Sequence, residues 1–156
     1  LIKVKGNAQN LVGAAYRGSN LGMRGGTILI EGDAGSEVGE LMRRGTIAIQ
    51  GNLGAFAGAL MTGGSIICFG RIGEKAGAGM DRGTIVVFNP LELLPTFRYS
   101  CTYNLSFLRT FLGALRKRDL PIRNEHLEGL YDRYDGDLAA LGKGEILVFK
   151  GEKVSI

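Results

Sequence analysis

The sequence predicts an all-β protein, a parallel β-helix (solenoid) of 19-residue coils with a C-terminal helix and strand packed on it. Three observations carry this reading. Twenty of the 26 glycines fall within residues 1–90. In that stretch GGTILIEGDAGSEVGELMR from Gly25, RGTIAIQGNLGAFAGALMT from Arg44 and GGSIICFGRIGEKAGAGMD from Gly63 align without gaps, and RGTIVVF from Arg82 begins a fourth copy. Each copy opens on a glycine-bounded stretch such as Thr27 to Ile30, Thr46 to Ile49 or Thr84 to Val87, mostly β-branched, which is the local signature of a short strand. A unit this short cannot bury an apolar face alone, whereas stacked copies pair strand on strand at about 4.8 Å and line up identical side chains.

The repeat has five invariant columns: Gly26, Gly45, Gly64 and Gly83; Gly32, Gly51 and Gly70; Gly35, Gly54 and Gly73; Gly39, Gly58 and Gly77; and Met23, Met42, Met61 and Met80. The glycines mark corners where φ is positive or where backbones of adjacent coils come close. The methionines are expected to point inward as flexible filler. An earlier copy is visible in Gly6-Asn7-Ala8 and Val12-Gly13, after which seven residues around Tyr16 to Gly22 interrupt the register. The opening LIKVKGN reads as strand and turn rather than a signal peptide, and upstream residues are expected.

Pro90 divides the chain into a glycine-repeat domain over 1–90 and a C-terminal extension over 91–156, which holds eight of the twelve aromatic residues. Residues 104–118 place Leu105, Leu108, Phe111, Leu112 and Leu115 on one helical stripe, with Asn104 as N-cap, basic residues at the C-terminal end and Pro121 as a stop. GEILVF, 144–149, reads as a closing strand. A terminal coil exposes unpaired backbone groups, and the extension is suited to cover one of them.

Composition narrows function. The net charge of +4, divided as +3 over residues 1–90 and +1 over 91–156, lacks the basic density of a nucleic-acid binder. No apolar stretch approaches the roughly 20 residues that cross a bilayer. Cys68 and Cys101 form no CxxC spacing; Cys68, in IICF, reads as a buried small hydrophobe, and a reducing cytoplasm is expected. Gly73-Glu-Lys-Ala-Gly77 lacks the Gly-Lys-Ser/Thr ending of a phosphate loop, and its glycines recur in every coil. The one histidine, His126 in NEHLEG, reads as a solvated loop residue, and Asp132, Asp135 and Asp137 in RYDGD as an exposed charged turn. No catalytic or metal residues are expected, and no cofactor-binding residues are assigned. Arg24, Arg43, Arg44 and Arg82 sit at coil corners, a row that Thr62 and Asp81 break; a solvated edge is the favoured reading and an acidic partner the alternative. Arg98, Tyr99 and Tyr103 in RYSCTY, with Arg43 and Arg44, are the candidate interface residues.

The repeat G-x-I-x-I-x-G-[DN]-x-G-x-x-x-G-x-x-M resembles the glycine-repeat domain shared by the β-helix subunit of formylmethanofuran dehydrogenase and the C-terminal domain of glutamate synthase. NAQNLVGAAYRGSNLGMRGG, ELLPTFRYSCTYNLSFL and YDRYDGDLAALGKGEILVF resemble the formylmethanofuran dehydrogenase member of that pair, including its form in the bacterial formyltransferase/hydrolase complex. The resemblance implies a right-handed β-helix and a non-catalytic structural subunit in one-carbon metabolism linked to methanofuran and tetrahydromethanopterin. Its implied partners are an amidohydrolase-like subunit, a formyltransferase subunit and, in the reductase form, a molybdopterin subunit. Methanofuran and metal centres are then held by those other subunits, with no cofactor in this chain. A glutamate-synthase-like spacer and a free-standing ligand-binding module are the competing readings.

Overall fold

A computed structural model describes residues 1–151. The chain is mostly sheet: ten elements run β1 (Ile2–Val4), β2 (Arg24–Ile30), β3 (Arg44–Ile49), β4 (Thr62–Cys68), β5 (Arg82–Val87), β6 (Arg98–Tyr103), α1 (Ser106–Arg116), α2 (Asn124–Glu128), β7 (Leu130–Gly136) and β8 (Lys143–Gly151). All eight strands join one sheet in the order β1-β2-β3-β4-β5-β8-β7-β6. The first five pair in parallel, Thr46 with Thr27 and Ser65, and Thr84 with Ser65, so the 19-residue period of the sequence is the hydrogen-bonding register of the sheet. Ile2 pairs with Ile28, which places the seven-residue interruption in the loop between β1 and β2.

Strands β2 to β5 and β8 bury side chains on both faces, for different reasons. One face turns inward, where Ile30, Ile47, Ile49, Ile66, Cys68, Ile85 and Ile146 pack with Met42, Met61 and Met80, all inaccessible to solvent. Met23, in the less complete first coil, is only half-buried. The other face presents the register row Leu29, Ala48, Ile67, Val86 and Leu147 outward, and α1 covers it with Leu108, Leu112 and Leu115, together with Leu105 just before the helix. Each such leucine contributes about 1.5–3 kcal/mol of transfer free energy. Asp119, just beyond α1, lies 3.9 Å from Lys3 at the β1 edge, while Asn104, just before it, is bonded near β7, so the helix runs back across the strands.

One glycine column is explained by close stacking. A Cβ on Gly54 would lie 2.7 Å from the Gly35 carbonyl carbon, and one on Gly73 would lie 2.7 Å from that of Gly54. Gly45 and Gly83, by contrast, have φ of 109° and 112°, a region side chains avoid. A polar ladder adds to the stacking: the Asp33 N–H donates to Asn7 Oδ1 (2.8 Å), the Asn52 N–H to Asp33 Oδ1 (2.7 Å) and the Arg71 N–H to Asn52 Oδ1 (2.8 Å). Arginine has no acceptor, so the ladder ends there.

The extension closes the far end. β8 joins β5 in parallel, and Phe97 packs into the interior against the last coil. α1 lies inside 104–118, and β8 extends the expected strand 144–149 to Lys143–Gly151, but three readings need correction. Asn104 is not the N-cap of α1: Leu105 holds that position without a side-chain bond, because the Asn104 amide donates to the Gly129 carbonyl at 2.9 Å. RYDGD is no exposed turn but the end of β7, paired on both sides by β6 and β8. Asp137 is buried, accepting from the backbone N–H groups of Gly79 and Ala139 at 2.9 Å each. Nor is His126 a solvated loop residue, since it lies in α2 with 4% of its surface exposed.

Candidate functional site

Three surfaces gather the residues with chemistry. At the first, the register sets Arg24 beside Arg44, Thr62 beside Arg82 and Arg82 beside Lys143, so four of five strand starts are cationic. Arg24, Arg43 and Arg44 line an open cleft of about 310 Å³, and all three are exposed. Lys143, contributed by the extension, extends the row where the sequence alone showed only its interruption by Thr62.

The second surface is β6, the edge of the sheet. Arg98 and Tyr99 are exposed there and Tyr103 is half-buried. Tyr99 packs edge-on to Tyr134 with ring centres 5.8 Å apart, and Tyr103 Oη accepts a long hydrogen bond of 3.5 Å from Arg133. Five strand steps separate β6 from β3, about 24 Å at the usual spacing, so the structure does not bring Tyr99 together with Arg43 and Arg44. The carboxylates nearby are occupied: Arg133 pairs with Asp135 at 2.7 Å and Glu145 at 3.1 Å, and Thr84 donates to Glu145 at 2.9 Å.

The third surface is a cleft of about 480 Å³ lined by Phe69, Phe88, Asn89, Pro121, Ile122, Arg123, His126 and Phe149. Phe69 and Phe88 follow β4 and β5 at the same point of the repeat, and their rings stack with centres 4.8 Å apart. His126 lies over Phe88 at 4.4 Å and meets Phe149 edge-on at 5.1 Å. Its Nδ1 accepts the Arg123 backbone N–H at 3.1 Å, and Tyr131 Oη donates to its carbonyl at 2.7 Å. Burial, reinforced by the Arg123 charge and opposed by Glu125, holds the imidazole below its ordinary pKa, so it is neutral at pH 7. Sequence reasoning missed this cleft. The signal was the aromatic column Phe69, Phe88 and Phe149, hidden because Phe149 belongs to the extension.

Burial pushes the Cys68 thiol up to about 11, which leaves it unreactive. Among the described residues, no group of three or more His, Cys, Asp or Glu side chains is placed to hold a metal ion.

The molecule is a glycine-repeat sheet protein whose Asn7, Asp33 and Asn52 side chains bond from one repeat to the next. No family model matches the chain, and no curated protein matches it. Among solved structures it is similar to a chain in the X-ray crystal structure of the formyltransferase/hydrolase complex from Methylorubrum extorquens in complex with methylofuran, with 36% identity and a TM-score of 0.84. The match covers 94% of this chain and 55% of that chain, so the chain spans about half the length of the relative. This is the resemblance expected from the repeat and tail motifs together.

Proposed function

We propose that this chain is the non-catalytic, structural β-helix subunit of a formyltransferase/hydrolase complex of one-carbon metabolism. The observation that carries the reading is the 36% identity sustained over 94% of the chain, because it takes in the extension as well as the repeat. On this reading the stacked coils are a right-handed β-helix, residues 1–90 being the repeat domain and 91–156 its extension. The complex works in the cytoplasm. Its methanofuran-type carrier and metal centres belong to other subunits, among them an amidohydrolase-like chain and a formyltransferase. The residues that meet those partners are Arg43 and Arg44 at the coil corner and Arg98, Tyr99 and Tyr103 on the open edge strand.

Native affinity purification of the tagged chain, with mass spectrometry of what accompanies it, tests the proposal. Recovery of an amidohydrolase-like chain and a formyltransferase is the expected result, and an additional molybdopterin chain would reassign the complex as a reductase. A chain that emerges alone and monomeric would overturn the subunit reading.

A further inference from the structure

Among the described residues, His126 Nε2 meets a second donor and has no acceptor within hydrogen-bond reach. Arg123 flanks both ring nitrogens, its backbone N–H 3.1 Å from Nδ1 and its Nη2 3.4 Å from Nε2. A neutral imidazole has one acceptor nitrogen, and a guanidinium only donates. The backbone N–H is the closer donor and is fixed by the entry into α2, so Nδ1 accepts from it and the proton sits on Nε2. That N–H then faces a second donor. The nearest acceptor, Glu125 Oε1, is 3.9 Å away, beyond hydrogen-bond reach, and is already paired with Arg123.

An oxygen placed between Nε2–H and the guanidinium would satisfy both donors at once. The rest of the cleft supplies aromatic surface from Phe69, Phe88 and Phe149 around about 480 Å³ of open space, within the range of small-molecule sites. Charge selects the guest. Glu125 already neutralises Arg123, and its carboxylate beside Nε2 repels an anion. We propose that this cleft binds an uncharged planar aromatic molecule whose carbonyl oxygen accepts from His126 Nε2–H and the Arg123 guanidinium, its ring lying against the phenylalanines. The site is independent of the subunit reading above.

Benzamide and benzoate serve as probes, and His126, the single histidine of this sequence, serves as reporter. In the full chain labelled with 15N-histidine, long-range 1H–15N spectra at pH 7.5 are expected to place the proton on Nε2. Benzamide should then shift that signal saturably, and benzoate should bind at least tenfold more weakly. In Glu125→Gln the two probes should bind alike. His126→Phe keeps the ring but loses the donor, and calorimetry should show benzamide affinity reduced at least tenfold. A proton on Nδ1, or an Nε2 signal that benzamide leaves unmoved, would overturn the assignment. So would an Nε2 signal already shifted in the assembled complex, with benzamide excluded, since a protein side chain would then occupy the cleft.

Discussion

Gly54→Ala is the sharpest test of the stacking geometry. Gly54 has ordinary backbone angles, so the added methyl group brings no conformational strain of the kind met at positive φ. Its Cβ would nevertheless lie 2.7 Å from the Gly35 carbonyl carbon, 2.8 Å from the Gly35 oxygen and 2.8 Å from the Ser36 nitrogen. All three obstacles are backbone, held by the hydrogen bond from the Gly54 N–H to the Gly35 carbonyl at 3.0 Å and by the strand pairing on either side. No rotamer change relieves the contact, so the coils must part. Overpacking of this kind costs about 1–3 kcal/mol, and a backbone obstacle places the cost in the upper half of that range. For a chain of this length each kcal/mol moves the melting temperature by about 2–4 °C, so a fall of roughly 4–12 °C is expected. Gly25→Ala is the matched control, because nothing lies within 4 Å of its Cβ; a surface change of that kind stays within about 0.5 kcal/mol. Urea unfolding of the two variants beside the parent decides the matter. If Gly54→Ala and Gly25→Ala share the parent's midpoint, the coils do not approach as closely as described.

Leu112→Ala, at a fully buried point of α1, should cost about 2–5 kcal/mol. Gly113→Ala, on open helix surface, should gain up to about 1 kcal/mol, and calorimetric melting separates the two. Asp137→Ala removes the carboxylate that accepts from the Gly79 and Ala139 N–H groups and should cost about 1.5–3 kcal/mol. Although burial pushes the Asp137 carboxyl up, hydrogen bonds from the Thr96 side chain, Gly79 and Ala139 outweigh it and hold the group below the ordinary aspartate value. The stability it supplies is therefore present above that value and lost as the pH falls through the lowered one, and urea midpoints in acid should show Asp137→Ala with a shallower decline than the parent. His126 acts in a higher window. Its lowered pKa means that the native chain binds fewer protons than the unfolded chain between the native value and 6.5, so stability rises with pH across that window and His126→Phe should flatten the rise. Ellman titration of the native chain at pH 8 should find Cys68 unreactive until the chain unfolds, since burial raises its pKa to about 11.

The parallel sheet was legible because its cause is local and repeated. A glycine every 19 residues at the Gly35, Gly54 and Gly73 positions reports a contact that recurs identically in each coil, and the strand register adds nothing to what the sequence alignment already contained. The Asn7, Asp33 and Asn52 ladder lay in the same alignment as an Asn/Asp column, but its role needed the coil-to-coil distance. The extension was legible only in part. α1 showed itself by its leucine stripe, whereas β7 alternates Asp132, Arg133 and Asp135 and resembles a turn until strands pair on both sides of it. His126 was misread for a related reason: NEHLEG is polar in sequence, and the aromatic rings that bury it come from residues 38 and 23 positions away, Phe88 and Phe149.

The outer face of the sheet shows why the repeat and its extension depend on one another. Leu29, Ala48, Ile67, Val86 and Leu147 form one register row, about 19 Å long at the usual strand spacing, while the next outward row holds Thr27, Thr46, Ser65 and Thr84. A repeat sheet built to stand alone would carry polar residues in both rows. Apolar residues in one of them require a cover, and α1 provides it with a helix whose own leucines would otherwise face water. The helix cannot lie there unless the chain returns, and it returns by β7 and β8, of which β8 pairs in parallel with β5 and so closes the last open strand of the repeat. One excursion of the chain thus covers the outer face and caps the stack, leaving β1 and β6 as the sheet's two open edges. Both edges expose apolar side chains, Ile2 on β1 and Tyr99 on β6.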